Sequence, residues 1–275
     1  MKISIITVAF NSEKTIEETM ISVLKQTYRP LQYIIIDGQS VDGTLDLIKK
    51  YEDRFKNKGI EFEYISEKDY GISNAFNKGI SLVSGEIIGI INSDDKLCDD
   101  SLEILSNEYK REIDIYYGQC VIFNDDSARE YIATPNASRN LNLLDKGMAL
   151  FHPSTFITKR VYEKYGGYDE KLKYCMDREL LLKLKKMGCN FKYIDHPLAY
   201  YREGGTNQVN YKKCSRENME ISIRYNTPYY VAWLNKQYYV IHDYLWKVIK
   251  TLGLERLFHK EINDKRLSNG KNEYR

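Results

Sequence analysis

Paired cysteines, a membrane-length apolar run, an excess of one charge and a glycine-rich loop after the first strand are all missing from this sequence. The five cysteines, Cys98, Cys120, Cys175, Cys189 and Cys214, are scattered and never spaced C-x-x-C. That argues against a disulfide framework or a zinc site and fits a reducing compartment. No apolar stretch reaches the ~18–20 residues that cross a bilayer. The N-terminus, MKISIITVAF, runs directly into a strand pattern without a separate signal-peptide region, so a cytoplasmic protein is expected. Lys and Arg number 41 and Asp and Glu 39. With a net charge of +2 the whole chain has no strong pull on nucleic acid, and charge must be argued locally. The loop Ala9-Phe10-Asn11-Ser12 holds neither glycine nor cation. This speaks against the phosphate loops of dinucleotide-binding dehydrogenases and sugar-1-phosphate nucleotidyltransferases.

What is present is an alternation of two periodicities. Residues 3–10 are a continuous apolar run, as in a strand covered on both faces. Asn11 or Ser12 can cap a helix carrying Ile16, Met20, Val23 and Leu24. A second run at 33–36 ends in Asp37-Gly38 and precedes a helix with Leu45, Ile48 and Tyr51. A third strand is expected at 62–65, a helix capped by Ser73 follows, and a fourth strand at 86–91 ends at Asn92-Ser93-Asp94-Asp95. Strand, helix, strand, helix implies right-handed crossovers and a largely parallel sheet, with ligands at the carboxyl ends of the strands. Thr7, Asn11, Asp37, Glu67, Asp69 and Asp94-Asp95 all fall near those ends, so one shared site is expected.

The middle is less regular. Residues 113–123 read as strand, 125–140 as a polar loop and 191–194 as strand. Asp177 begins a helix with Leu180, Leu181, Leu184 and Met187 that stops at Gly188. Thr227-Pro228 starts another, with Leu234, Ile241, Leu245, Val248 and Leu252 as its apolar stripe. Trp233, Tyr244 and Trp246 share that segment with Lys236, Lys247, Lys250, Arg256, His259 and Lys260. Two readings stay open: a helix packed on the domain or on a second subunit, or a basic amphipathic helix at an anionic membrane. The last dozen residues are polar and expected to fray.

Two acidic positions carry chemistry or merely end elements. Asp94-Asp95 are adjacent carboxylates whose repulsion a cation relieves, or a turn whose acids favour a helix N-terminus. Asp177 is a base for a hydroxyl, or a partner of its own helix dipole. The helix N-terminus is expected to lower its pKa and keep it ionised. Asp42 and Gly43 read as a turn and helix cap.

The segments SIITVAFN (4–11), DGQSVDGT (37–44), SEKDYGISNAFNKG (66–79), GEIIGIINSDD (85–95), HPSTFITKRVYEKYGGYDEKL (152–172) and CMDRELLLKL (175–184) occur in one order. With them the chain resembles a family 2 glycosyltransferase of the GT-A fold, over about the first 205 residues. It is most similar to bacterial enzymes of capsule, O-antigen and exopolysaccharide assembly. The resemblance implies an α/β, Rossmann-like, mostly parallel sheet flanked by helices, with a helical C-terminal extension. It divides the chain into a nucleotide-sugar-binding half at 1–100, an acceptor-binding and catalytic half at 101–205, and the extension at 206–275. It implies that Thr7, Asn11 and Asp37 hold the nucleoside and that Glu67, Asp69, Asn74 and Asn77 line the donor site. Asp94 and Asp95 would bind Mn²⁺ or Mg²⁺ and ribose, Asp95 being the better metal ligand. Asp177 would be the catalytic base of an inverting transfer and His152 a contact to sugar or acceptor. Arg202, with Gly204-Gly205-Thr206, would close over the diphosphate. Three positions depart from the pattern: Asn92 and Asn74 stand where relatives have Asp, and Met176 where many have Glu. The implied partners are a nucleotide-sugar, UDP by default, and a saccharide acceptor that a lipid could carry. A homodimer and a peripheral membrane contact stay open. The alternative is a non-catalytic nucleotide-sugar or glycan-binding subunit of the same fold. Intact Asp95 and Asp177 argue against it.

Overall fold

The computed structural model describes residues 1–125, 129–204 and 210–251 of the 275. Gly205, Thr206, Leu252, Arg256, His259, Lys260 and the polar C-terminal end lie outside the described residues, as do the side chains of Trp246, Lys247 and Lys250.

The first compact unit, Met1–Val209, is built on one sheet. Its opening half is β1 (Ile3–Ala9), β2 (Leu31–Asp37), β3 (Ile60–Ser66) and β4 (Ile87–Asn92), joined by α1 (Ile16–Lys25), α2 (Thr44–Asn57) and α3 (Ile72–Leu82). These four strands run parallel in the order β3-β2-β1-β4. Every residue of β1 and β2 is buried, which is why both read as unbroken apolar runs. The outer strand β3 alternates instead, with Glu61 exposed, and this blunts a free edge. Helix α3 lies so close to β1 that a Cβ on Gly79 would sit 2.5 Å from Ile6 Cγ2.

The other half is mixed. The short β5 (Lys96–Leu97) and α4 (Ser101–Glu108) lead to β6 (Ile115–Asn124), β7 (Arg129–Ala133), β8 (Thr155–Thr158), α5 (Lys159–Tyr165), α6 (Met176–Lys186) and β9 (Phe191–Arg202). Beyond β4 the order is β8-β6-β9-β5, with β7 also on β6. β8 is antiparallel to both neighbours, and β6 and β9 are parallel.

Several local expectations are corrected. Residues 129–133 of the expected polar loop pair with β6 as β7, because that edge of β6 is open beyond its pairing with β8. β9 runs for 12 residues rather than four, following β6 past an irregularity at Gly118–Cys120. Neither Asn11 nor Ser12 caps α1. Thr15 occupies that place, and Asn11 turns back at φ 50°. Ser73 does not cap α3 either: its hydroxyl is buried and donates to Leu172 O at 3.1 Å. Asp42 behaves as expected, its Oδ1 accepting from Thr44 N at 3.0 Å.

The second unit begins at Asn210. It contains α7 (Tyr211–Arg224), which the apolar pattern did not announce, and α8 (Tyr229–Thr251), which starts at the expected Thr-Pro.

Candidate active site

The rim starts where the parallel strands end. Gly38 N donates to Ala9 O (2.8 Å) and Glu67 N to Asp37 O (3.0 Å), so the β1, β2 and β3 ends stay aligned past the strands. Asn11 N donates to Ser40 Oγ (2.8 Å), and Asn11 Oδ1 accepts from Val41 N (3.0 Å). Ser12 and Ser93 hydroxyls meet at 2.7 Å and tie the β1 end to the β4 end.

Thr7 and Asp37 lie beneath this rim, not on it. Thr7 is fully buried mid-strand, and its hydroxyl accepts from Tyr33 OH at 3.0 Å. Asp37 is fully buried and accepts from Ser40 N (3.1 Å), Ser40 Oγ (2.5 Å) and Ser66 Oγ (2.6 Å). Thr7 is thus bonded to Tyr33 within the sheet, and Asp37 braces the 38–41 turn from below.

Glu67 pairs with Lys78 at 2.7 Å. Asp69 Oδ1 accepts from Gly71 N, and its Oδ2 lies 2.5 Å from where a Cβ on Gly38 would stand, so a side chain there would displace the Asp69 carboxylate. Asn74 and Asn77, one turn apart on α3, reach the loop after α5. Asn74 Nδ2 donates to Glu170 Oε2 (3.1 Å) and Asn77 Nδ2 to Glu170 Oε1 (2.9 Å). This explains the amide at position 74, since a carboxylate there would confront Glu170 with like charge. Asn77 also clamps both main-chain groups of Tyr168, accepting from its N (2.9 Å) and donating to its O (3.0 Å).

At the β4 end, Asp95 is only 1% exposed. Its Oδ1 accepts from Arg202 N (3.1 Å) and its Oδ2 from Asn92 Nδ2 (3.5 Å). Burial, then the Asp94 charge, push the Asp95 carboxyl well above the usual range. Burial also raises Asp94, opposed by Arg202. Asn92 Oδ1 is buried without a hydrogen-bond donor among the described residues. Two crowded carboxylates and an orphaned amide oxygen are a hard-oxygen donor set that suits a divalent cation. Among the described residues no three His, Cys, Asp or Glu side chains converge on one point, so part of any shell would come from ligand phosphates.

Arg202 sits against the same turn. Its Nε donates to Asp94 O (3.0 Å) and its Nη2 to Glu18 Oε2 (3.0 Å), its Nη1 pairs with Asp125, and its guanidinium lies 4.6 Å over the Phe123 ring. Largely buried and ringed by acceptors, it braces the Asp94-Asp95 turn.

Asp177 lies in the first turn of α6, with Oδ1 accepting from Arg178 N at 2.7 Å. His152 opens the 3₁₀ turn His152–Ser154 before β8; its Nε2 is 3.3 Å from Tyr168 OH and its ring is stacked 5.3 Å from Phe76. Both line a small cavity with Tyr162, Tyr168, Thr155 and the apolar Ile90, Ile157, Leu180 and Leu181. Burial raises the Asp177 pKa against the pull of His152, and lowers that of His152 against the pull of Asp177. The expected lowering by the helix N-terminus is thus overturned, because desolvation outweighs it. Arg178, 1% exposed, donates to Leu144 O (3.3 Å) and Asp145 O (3.0 Å) and pins the turn Leu141–Asp145 below the site. Tyr201 on β9 connects the two clusters. Its phenol is pushed up to about 12 by burial and then by the charges of Asp95, Asp94 and Asp177. Sequence reasoning singled out none of Tyr168, Glu170, Arg178 or Tyr201 as a functional residue. Tyr168 and Glu170 stand inside the quoted GGYDEKL stretch and Arg178 inside CMDRELLLKL, whereas Tyr201 lies in no quoted segment.

The model for the family described as "Glycosyl transferase family 2" matches residues 4–166. Chondroitin synthase of Escherichia coli is 28% identical over 206 residues, covering 70% of this chain and 28% of that protein. The chain therefore spans about a quarter of that relative's length. Among solved structures, S. aureus TarS 1–349 in complex with UDP-GlcNAc superposes with a TM-score of 0.62 at 16% identity, over 87% of this chain and 72% of that one. Mannosyltransferase PcManGT from Pyrobaculum calidifontis, in complex with GDP-Man and Mn²⁺, superposes with a TM-score of 0.64 at 15% identity, over 93% of this chain and 80% of that one.

Proposed function

This chain belongs to glycosyltransferase family 2, and from that premise we propose that it is an inverting enzyme transferring a sugar from a nucleoside diphosphate to a saccharide hydroxyl. Its fold is the GT-A fold. The observation that carries the proposal is Asp177, recessed beside His152 and within electrostatic reach of Tyr201, which also feels Asp94 and Asp95. A binding module has no use for a desolvated carboxylate so placed, whereas a base does. Burial raises its pKa and makes it a stronger proton acceptor once ionised.

In the proposed reaction, the acceptor hydroxyl gives its proton to the Asp177 carboxylate as its oxygen attacks the anomeric carbon. The bond from that carbon to the diphosphate oxygen breaks on the opposite face, so the configuration inverts. Tyr168 and Phe76 hold His152 in place. Asn11, Glu67, Asp69, Asn74 and Asn77 line the donor side, and the buried Thr7 and Asp37 support the turns that carry it. Asp94, Asp95 and Asn92 Oδ1 would hold Mn²⁺ or Mg²⁺. Such an ion supplies positive charge to the departing diphosphate. Asp95, the better metal ligand by resemblance, is held in place by Arg202 N and Asn92, and the more exposed Asp94 would share the ligation.

The donor is proposed to be a UDP-hexose or UDP-N-acetylhexosamine, and the acceptor a growing bacterial surface polysaccharide, lipid-linked, at the cytoplasmic face. In support, TarS is seen with UDP-GlcNAc, PcManGT with GDP-Man and Mn²⁺, and the relative named above is a polysaccharide synthase. The test is nucleoside-diphosphate release from UDP-, GDP- and dTDP-sugars with membrane lipid extract as acceptor source. Wild type and Asp177→Asn are compared with Mn²⁺, Mg²⁺ or EDTA. Metal-dependent release lost in the variant supports the reading. Tight binding of one donor without turnover supports a binding subunit instead.

A further inference from the structure

Among the described residues, the longest helix of the second unit carries a row of exposed apolar side chains. α8 is 23 residues long, about 34 Å at 1.5 Å per residue. Tyr229, Trp233, Leu234, Ile241, Tyr244 and Leu245 are between 44% and 67% exposed, while Ala232 on the other side is buried. At about 100° per residue these six fan over about 160° of the circumference. A two-helix seam is a narrow stripe of branched aliphatics. Half a cylinder, half of it tyrosine and tryptophan, is shaped to lie at a water–lipid boundary, where such rings keep one end wet.

Charge points the same way. From residue 210 onward the sequence has 13 Lys and Arg against 7 Asp and Glu, whereas residues 1–209 have 28 against 32. The near-neutral total hides an acidic first unit and a basic second one. Lys236 falls just outside the apolar arc beside Tyr229, where its stem can follow the apolar face and its ammonium reach a phosphate. No helix among the described residues is long and apolar enough to cross a membrane, so α8 would lie in the plane of the surface.

We propose that α8 is an interfacial helix that seats this chain on an anionic lipid surface. Both tryptophans of the chain, Trp233 and Trp246, are in α8, so tryptophan emission reports this helix alone. The full chain is mixed with vesicles of phosphatidylcholine, with or without one third phosphatidylglycerol, and followed by sedimentation and emission wavelength. Binding with a blue shift on the anionic vesicles, fading as salt rises, is expected. A Trp233→Glu/Leu245→Glu variant, its fold checked by circular dichroism, should lose more than about tenfold in affinity. Lys236→Glu, which keeps the apolar face, should lose about fivefold on anionic vesicles only. The proposal is overturned if the chain stays in the supernatant without a shift. It is equally overturned if light scattering finds a dimer that the double variant dissociates, since the face would then join two copies. None of these readouts involves turnover, so the result is separable from the transferase reading.

Discussion

As the proposed base, Asp177 would serve two opposing demands, because a carboxylate useful as a base is costly to keep charged in its recess. Burial raises its pKa in the fold. Its favourable contribution to stability is therefore complete below the ordinary carboxylate range and lost as pH rises through the elevated value. Asp177→Asn should abolish turnover by more than about a hundredfold. It should also melt a few degrees higher than wild type at about pH 8, with the gap closing near pH 4. Thermal melts across that range check the sign. The same shift predicts that kcat/KM falls as pH drops toward the raised Asp177 value. Tyr168→Phe, which removes the hydroxyl from His152 Nε2 but keeps the ring, should move that acid limb and lower kcat about tenfold. The donor KM should stay within about twofold. Near Glu170, Asn74→Asp should lower the Tm by about 1–3 °C, and Glu170→Gln should restore it.

Single turns of helix and ends of strands set these residues in place. Asn77 on α3 clamps both main-chain groups of Tyr168, and Phe76 beside it carries the rings of His152 and Tyr168. One turn of α3 thus governs the pocket around the proposed base, about 100 residues further on. Asn77→Ala leaves the Tyr168 N–H and C=O without this partner and should cost about 1–3 kcal/mol in denaturant unfolding. On the other side of the sheet's centre, β9 delivers Arg202 to the Asp94-Asp95 turn and α1 delivers Glu18 to Arg202. The resemblance of Arg202 to a diphosphate-closing residue could not reveal this bracing, because Glu18 and Asp125 are remote from it in sequence.

At the level of the molecule, the parallel half of the sheet carries the proposed donor rim and the mixed half the proposed base, with Tyr201 between them. Neither half holds a complete site. Chelation should therefore act on one side only. EDTA should weaken nucleotide-sugar binding by more than about tenfold, as judged by calorimetry, and Mn²⁺ should restore it. The environment of Asp177, read from the pH profile, should remain unchanged.

The parallel strands, their alternation with helices and the start of α8 were legible from the sequence. Apolar runs, helical spacing and a Thr-Pro pair are local signals that burial enforces residue by residue. The strand-end acids were legible as candidates because β-α-β order puts loop residues on one edge, and Asp177 because its helix start stands in a segment that resembles the family. What the sequence could not show is which candidates face outward. Thr7 and Asp37 are bonded to Tyr33, Ser40 and Ser66, and Arg202 to Glu18 and Asp125. Nor could it show the sign of the Asp177 shift, where the local helix dipole loses to desolvation by elements distant in sequence. Local pattern determined which groups are available for chemistry. Their protonation, their partners and their direction were decided only by long-range packing, because dielectric and hydrogen-bond competition are properties of the folded surroundings and not of the chain.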